Sequence, residues 1–229
     1  MVNLKDYRDK ELRYYFIANI TVLLLLLDFF HISQSENNMQ IPELISNFLN
    51  ISILSSTIYV LAFIADSLFS ANIKKLLIVG HLPGEKIFSR IQKATIDKRF
   101  SHEDALKKYS EIYKSLPTVK KDRYDYENTE WYKIYNKHRE ITMIMVSNRD
   151  FLLCRDIYFS TIVMIIIYFF LTIVFKIIIF DCRYLGYLIV MLILSNIGTR
   201  NKAMRFTCNV IAYDIANDTT YNIKENNHG

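Results

Sequence analysis

Four apolar stretches stand out along the chain, at residues 14–32, 44–66, 157–180 and 184–198. A membrane core about 30 Å thick takes roughly 20 apolar residues in a helix, so each stretch predicts a transmembrane helix. The third is apolar around its whole circumference, unlike a surface helix of a soluble protein. The fourth is short, but it follows the third after the polar turn 181–183, and the two predict a hairpin. The first lacks the small-residue cleavage site of a signal peptide, which favours a retained anchor.

The distribution of Lys and Arg predicts which side of the membrane each segment occupies. Four basic residues precede the first stretch, 18 lie in residues 67–156 and four follow residue 198. The connecting segment 33–43 holds none, and segment 176–183 holds two. Because basic residues are enriched on the cytoplasmic side, both termini and the middle region are predicted to be cytoplasmic. The middle region has 18 basic and 12 acidic residues, which indicates a basic body facing the inner leaflet.

Residues 67–156 contain few signals that would break a helix, chiefly the GHLPG sequence at 80–84 and Pro117. Ser101, followed three residues later by Asp104, has the pattern of a helix N-cap. Three helical pieces are predicted, over residues 85–96, residues 101–117 and from the cap Asn128 onward.

No Gly or Pro occurs from Asn128 to Leu185. The last cytoplasmic helix is therefore predicted to continue into the third transmembrane helix, with a break near 147–149 as the alternative. The polar tail from Asn217 has a disordered composition. The residues just before it, 204–215, fit a helix but also alternate partly as a strand would.

Together these patterns predict an all-α membrane protein with four transmembrane helices and a helical cytoplasmic region inserted between helices 2 and 3. The predicted divisions are a cytoplasmic arm 1–13, a transmembrane hairpin 14–66, a basic cytoplasmic domain 67–156, a second hairpin 157–198 and a cytoplasmic tail 199–229.

Composition narrows the chemistry. The 229 residues are 52% apolar and include only five Gly, so Gly-rich phosphate loops of the Walker or dinucleotide type are excluded. The three Cys are far apart and no His pair has ligand spacing, so neither a disulfide framework nor a metal site is expected. The acidic pair Glu103 and Asp104 beside His102 is explained by first-turn capping. We expect no enzyme activity and no cofactor.

The segment 120–139 interleaves cations with aromatic rings. Cations that meet phosphates beside rings on which bases stack are typical of proteins that bind nucleotides or single-stranded nucleic acid. The candidate ligand-binding residues are Lys120, Lys121, Arg123, Tyr124, Trp131, Lys133, Lys137 and Arg139. The alternative is that the rings pack a cytoplasmic core while the lysines contact anionic lipid.

Polar residues within the first two predicted spans form a second candidate site. A polar stripe on a spanning helix either holds neighbouring helices together or lines water. Four helices of one chain can hardly enclose a pore, so a conduit would need a symmetric homo-oligomer, for example a tetramer. The candidate pore residues are Asn19, Asp28, Ser52, Ser56, Tyr59 and Asp66.

Three segments carry a resemblance to a known family. GHLPGEKIFSRI, NTEWYKIYNKHR and SNRDFLLCRDIYFSTIV, followed by an apolar hairpin, resemble the channel subunits of Hailong-type bacterial antiphage systems, which are encoded beside nucleotidyltransferases. The resemblance covers about residues 75–200. It implies an oligomeric ion channel in the bacterial inner membrane that senses a nucleotide or short DNA oligomer made by the partner enzyme, and not duplex DNA. Channel opening would depolarise the cell in abortive infection.

Two other interpretations stay open. A membrane transporter or lipid-modifying protein would need a cluster of carboxylates or His, and only scattered acids are present. A non-catalytic membrane scaffold would need no polar stripe in the second span.

Overall fold

The structure, a computed structural model, describes residues 4–26, 83–176 and 179–226, and eight separate helical positions at 49, 52, 53, 56, 57, 60, 61 and 64. Within these residues the chain forms seven bounded α-helices and no strand, which confirms the all-helical class. The helices are α1 Leu4–Leu26, α2 Ile87–Lys93, α3 His102–Lys108, α4 Ser110–Lys114, α5 Lys120–His138, α6 Thr142–Phe169 and α7 Cys182–Asn226. A π-helix, Phe170–Val174, continues α6.

The chain divides into two compact units. The first unit comprises residues 1–77 and 152–198, and the second unit comprises residues 78–151 and 199–229. The boundaries fall inside α6 and inside α7, so each of these helices contributes to both units.

The core of the first unit is built from α1, α6 and the start of α7. Its buried side chains are large and apolar or aromatic: Phe16, Ile20, Leu23, Val163, Met164, Tyr168, Tyr184 and Leu188. The Tyr184 ring packs edge to face against the Tyr168 ring, with 5.0 Å between their centroids. Arg183 donates to the Leu26 carbonyl at 2.8 Å, and so caps the C-terminal end of α1, where unsatisfied carbonyls attract a cation.

Two helical segments are long and apolar enough to cross a membrane, judged by length and composition: Thr142–Val174 and Cys182–Asn217. They contain most of the third and all of the fourth predicted stretch. In the most apolar window of Cys182–Asn217 only 17% of the residues are buried within the chain, against 44% for Thr142–Val174. The core helix of a soluble protein would be mostly buried, so the exposed apolar side chains of Cys182–Asn217 favour a membrane-spanning helix.

The first two predicted spans are only partly within the described residues. α1 begins at Leu4, ten residues before the predicted span 14–32, and residues 27–32 lie outside the described residues. Of the second span, only separate helical positions are described. The number of four spans therefore stays a prediction.

The end of the third span differs from the prediction. The helix is predicted to reach Phe180, but it ends at the π-helix, where the Phe175 amide donates to the Phe170 carbonyl at 2.9 Å. Lys176 follows with a positive φ of 52°, a left-handed conformation that stops a helix of L-residues. The connection to α7 is consequently longer than the predicted turn 181–183.

Helix α7 corrects the prediction for the tail. It continues through the ambiguous segment 204–215 and through the residues from Asn217 whose composition predicts disorder, as far as Asn226. Segment 204–215 buries Phe206, Val210 and Ile211 in the second unit, and no Gly or Pro occurs from residue 199 to residue 226.

In the second unit, the predicted cap Ser101 is confirmed, because its hydroxyl accepts from the Asp104 amide at 3.0 Å. The predicted helix 101–117 is split at Tyr109 into α3 and α4. Helix α5 begins at Lys120 rather than at Asn128, since the extended residue Val119 supplies the N-cap position after Pro117. The predicted helix 85–96 is shorter, because residues 83–86 form a turn before α2.

The helix that is predicted to run from the cytoplasmic region into the third span is interrupted, but not at the alternative break near 147–149. The break lies at residues 139–141, between α5 and α6, and α6 runs without interruption through 147–149. Within this helix the Ser147 hydroxyl donates to the Met143 carbonyl at 2.9 Å, so its side chain is satisfied without breaking the helix.

Candidate functional site

Helix α5 carries seven of the eight candidate ligand-binding residues, and Arg139 follows it directly. One face of α5 is buried through Glu127, Trp131 and His138, whose spacings of four and seven residues place them on the same side of the helix. The other faces expose cations. The candidate residues therefore divide into those that hold α5 in the unit and those that face solvent.

The N-terminal end of α5 presents two exposed lysines, Lys120 and Lys121. Arg123 has a local role, because its guanidinium donates to the carbonyls of Pro117 at 2.8 Å and Thr118 at 3.0 Å. Tyr124 is also engaged, with the Lys86 ammonium 4.5 Å from its ring centroid. At this end of the helix, the lysines and the positive end of the helix dipole can both attract a phosphate.

Trp131 is placed in the core of the second unit, with only 3% of its surface exposed. Its ring stacks on Tyr135 at a centroid distance of 5.7 Å and meets Phe206 edge to face at 5.2 Å. A Cβ at Gly84 would lie 2.7 Å from the Trp131 ring, so the GHLPG turn covers it as well. This indole is closed to a base, as the core-packing alternative predicts.

The C-terminal end of α5 presents a second group of cations. Lys133 is exposed and pairs with Glu130 at 2.6 Å, which raises the pKa of Lys133 and keeps it charged. Lys137 and Arg139 are exposed. Tyr132, which is not among the predicted ligand-binding residues, lies on the same helix with 53% of its surface exposed.

Tyr132 is the outer member of a row of aromatic rings. Its centroid is 5.6 Å from that of Tyr135, which in turn stacks on Trp131. Burial raises the pKa of Tyr135, and its hydroxyl accepts from the Asn148 amide at 3.1 Å. The Tyr132 ring thus contacts Tyr135 at a tilt of 50° and leaves about half of its surface to solvent, and an exposed ring is what stacking of a base requires. The interleaving of rings and cations in the sequence included Tyr132, which adjoins Lys133. Only the burial of the two side chains shows that Tyr132 is accessible and that Trp131 is not.

The two cationic ends are far apart. Because α5 has 19 residues and rises 1.5 Å per residue, they are separated by about 28 Å. The candidate residues do not form one small pocket. The exposed residues are instead distributed along the length of α5 and on both sides of its buried face. We call this set the α5 surface and define it by Lys120, Lys121, Tyr132, Lys133, Lys137 and Arg139.

Behind the α5 surface lie two buried polar clusters that the sequence did not reveal. The first centres on Asp214 of α7, which is 4% exposed. Its carboxylate lies 2.8 Å from the Lys108 ammonium, accepts from the Tyr109 hydroxyl at 2.9 Å and lies 2.7 Å from His138 Nε2. Lys108 also donates to the Asp214 carbonyl. These residues lie up to 106 positions apart in the chain, so no sequence spacing could indicate their contact.

The second buried cluster centres on Glu127 of α5, which is fully buried. Its carboxyl group accepts from the Ser89 amide at 3.1 Å and from the Ser89 hydroxyl. It thereby caps the first turn of α2 from another helix. Burial raises the pKa of the nearby Tyr113 to about 12, with Glu127 contributing, so this phenol stays protonated at neutral pH.

The candidate pore residues are only partly described. Asn19 lies in the core of the first unit with 1% exposure, where its amide nitrogen donates to the Tyr15 carbonyl at 2.7 Å. Its Oδ1 atom has no hydrogen-bond partner within the part of the chain that the structure describes. Ser52 and Ser56 are exposed on a helix. Asp28, Tyr59 and Asp66 lie outside the described residues.

No group of three or more His, Cys, Asp or Glu among the described residues has the geometry to hold a metal ion. No protein-family model, curated protein or solved structure matches the chain.

Proposed function

We propose that the chain is a subunit of a homo-oligomeric ion channel in the bacterial inner membrane, gated by a nucleotide or a short single-stranded oligonucleotide, and that it acts in antiphage defence. The observation that carries the proposal is the exposed apolar surface of α7. Only 17% of the most apolar window of Cys182–Asn217 is buried within the chain. Water would not tolerate so much apolar surface, whereas a bilayer and neighbouring subunits would cover it.

The α5 surface supports the ligand part of this proposal. Its cations are exposed at both ends of the helix, and Tyr132 offers an open ring between them. A separation of about 28 Å is longer than a single nucleotide and fits a strand whose successive phosphates follow the helix. An oligonucleotide is therefore favoured over a mononucleotide.

The channel is tested by electrical recording. Purified protein in planar bilayers should carry currents that change when the oligonucleotide is added. Asp28→Asn should alter conductance or selectivity while leaving assembly unchanged, because a ring of carboxylates concentrates cations at a pore mouth. Absence of current in every condition would overturn the channel and leave a membrane scaffold.

Ligand binding is tested with a fluorescent single-stranded DNA and a matched pair of charge variants. The double variant Lys120→Ala/Lys121→Ala should weaken binding and reduce the slope of log affinity against log salt by roughly 1.4, at about 0.7 for each phosphate contact. The control Lys93→Ala/Lys98→Ala removes the same charge from exposed positions off α5. If both double variants lose the same DNA affinity, binding depends on the overall positive charge of the protein and not on the lysines of α5.

Base stacking is tested at Tyr132. Tyr132→Ala should cost roughly 1–3 kcal/mol of binding, whereas Tyr132→Phe keeps the ring and should retain the affinity. Duplex DNA should not displace the probe, because its bases are not available for stacking. Unchanged affinity in Tyr132→Ala would remove the stacking contact from the proposal.

A further inference from the structure

The buried cluster around Asp214 joins three segments at one carboxylate. Lys108 at the end of α3, Tyr109 at the break before α4 and His138 at the end of α5 all contact this side chain of α7. Most of its members are nearly inaccessible: Asp214 is 4% exposed, Tyr109 4% and His138 6%. Within the second unit, this carboxylate is thus the polar point at which α7 contacts both α3 and α5.

Such a cluster is a poor way to gain stability. Removing charges from water costs several kcal/mol per ion, and well-packed apolar residues are often as stable or more stable in the same space. What a buried ion pair does provide is one defined alignment, because any displacement of a helix leaves an unpaired buried charge. A helix held in this way either keeps that alignment or loses the contact altogether, and a switch requires such a choice between two discrete arrangements.

His138 links this cluster to the α5 surface. It is the last residue of α5 and lies between Lys137 and Arg139, both exposed members of that surface. The chain breaks its helix directly afterwards, at residues 139–141. A phosphate strand that draws Lys137 and Arg139 toward itself therefore acts on the same short segment that positions the His138 ring against Asp214.

We propose that the contact of His138, Tyr109 and Lys108 with Asp214 is the point at which occupancy of the α5 surface is communicated to α7, the helix that also contains one of the two candidate membrane spans. This inference rests on the proposed function, since it assigns the regulation of the same ligand surface. It names Asp214 as a positioning residue that never touches the ligand.

The test measures binding and communication separately in the full-length protein in lipid nanodiscs. Binding is followed by the anisotropy of a fluorescein-labelled single-stranded DNA of about eight nucleotides. Communication is followed by hydrogen exchange of the α7 amides in residues 199–216, with and without this DNA. The variant Asp214→Asn keeps the shape of the side chain and removes its charge.

The matched control is Asp150→Asn. Asp150 also contacts α7, through Lys202 at 2.9 Å, but this pair is partly exposed and includes no residue of α5. We expect both variants to bind the DNA within about twofold of wild type, as for sites that do not contact the ligand. The DNA should slow α7 exchange about fivefold or more in wild type and in Asp150→Asn, and not in Asp214→Asn.

The outcomes separate this inference from the proposed function. If Asp214→Asn retains the full DNA-dependent change in α7 exchange, the inference is wrong while the proposed function stands. If wild type does not bind the DNA, the ligand part of the proposed function fails and this inference fails with it. If Asp214→Asn does not fold, Tyr109→Phe removes one donor and keeps the ring against Phe88. A wild-type response in Tyr109→Phe would then overturn the inference.

Discussion

Gly84 connects the GHLPG turn to the core of the second unit. Its φ is +86°, in the left-handed region that only Gly adopts readily. Its amide donates to the Thr207 hydroxyl at 3.2 Å, and an added Cβ would lie 2.9 Å from Asn128 Oδ1 as well as against the Trp131 ring. The position is therefore closed to side chains for two independent reasons, backbone conformation and space.

We expect Gly84→Ala to destabilise the protein by more than about 1 kcal/mol, because a positive φ alone costs an L-residue that much. Thermal unfolding followed by circular dichroism measures the effect. Gly186→Ala is the matched control, since an added Cβ there would meet no atom of the described residues within 4 Å, and it should gain roughly 0.5–1 kcal/mol of helix stability. Equal Tm values for the two variants would contradict this expectation.

Asn19 distinguishes a core position from a pore position. Its Oδ1 atom has no partner among the described residues, and a buried acceptor without a partner costs roughly 1–3 kcal/mol. We expect Asn19→Leu to raise Tm and to leave any current unchanged. A lower Tm together with a changed conductance would show that water solvates this amide in the assembled protein, and it would support the prediction that Asn19 lines the pore.

Trp131 and Tyr132 show why adjacent aromatic residues need different tests. Trp131→Ala would empty the space shared with Tyr135 and Phe206, and large-to-small changes in a core cost about 3–5 kcal/mol. Loss of binding in that variant would report unfolding. Tyr132 projects from the next position on α5 with 53% exposure, so its truncation reports ligand contact.

Among the helices, α2 depends on a residue of α5. Glu127 is fully buried and caps α2 through Ser89, although the two residues lie 38 positions apart. We expect Glu127→Ala to destabilise the protein by roughly 2–3 kcal/mol, because the partly buried donors of Ser89 lose their partner. Asp125→Ala, an exposed change on the same helix, should stay within about 0.5 kcal/mol. Chemical denaturation of the two variants provides the comparison.

The loop before α3 carries a pH-dependent contact to α7. Hydrogen bonds from Arg99 hold the pKa of Asp97 below its ordinary value, and the same guanidinium donates to buried Asn209 of α7 at 2.7 Å. Because the pKa is lowered on folding, the stability from this pair is complete above about pH 4 and is lost as the pH falls through the lowered pKa.

Asp97→Asn should therefore reduce the loss of Tm between about pH 5 and pH 2.5 relative to wild type. The exposed Glu103→Gln serves as the control for removing an acid from this region. An identical acid dependence in wild type and Asp97→Asn would show that the pair contributes nothing on folding.

For the protein as a whole, the predicted orientation rests on 26 of 28 basic residues falling on one side. Cys182, the exposed first residue of α7, lies in the segment predicted to face outward. A membrane-impermeant maleimide should label it in intact cells. A cysteine placed at exposed Lys120, in the Cys182→Ser background, should react only after lysis. Labelling of the Lys120 position from outside would overturn the orientation.

Much of the helical architecture was predictable from the chain itself, because it depends on local chemistry. Long apolar runs without Pro predicted helical spans at 157–180 and 184–198, which lie largely within the helical segments Thr142–Val174 and Cys182–Asn217, and the spacing of Ser101 and Asp104 predicted the cap of α3. Such features depend on residues within one or two turns of each other. Helix boundaries were less accurate, as at the π-helix after Phe169 and at the start of α5.

Burial and long-range partners were decided by the tertiary structure. The sequence of 120–139 does not distinguish Trp131, whose ring packs in the core, from Tyr132, whose ring faces solvent. The partners of Asp214 and Glu127 lie between 38 and 106 positions away, and buried polar groups acquire partners only when separate helices pack together. The chain alone determined which segments are apolar and most of those that are helical, because those properties are local, although the helix through 204–226 was not predicted. Only packing decided which cations, rings and carboxylates meet, because it brings distant positions into contact.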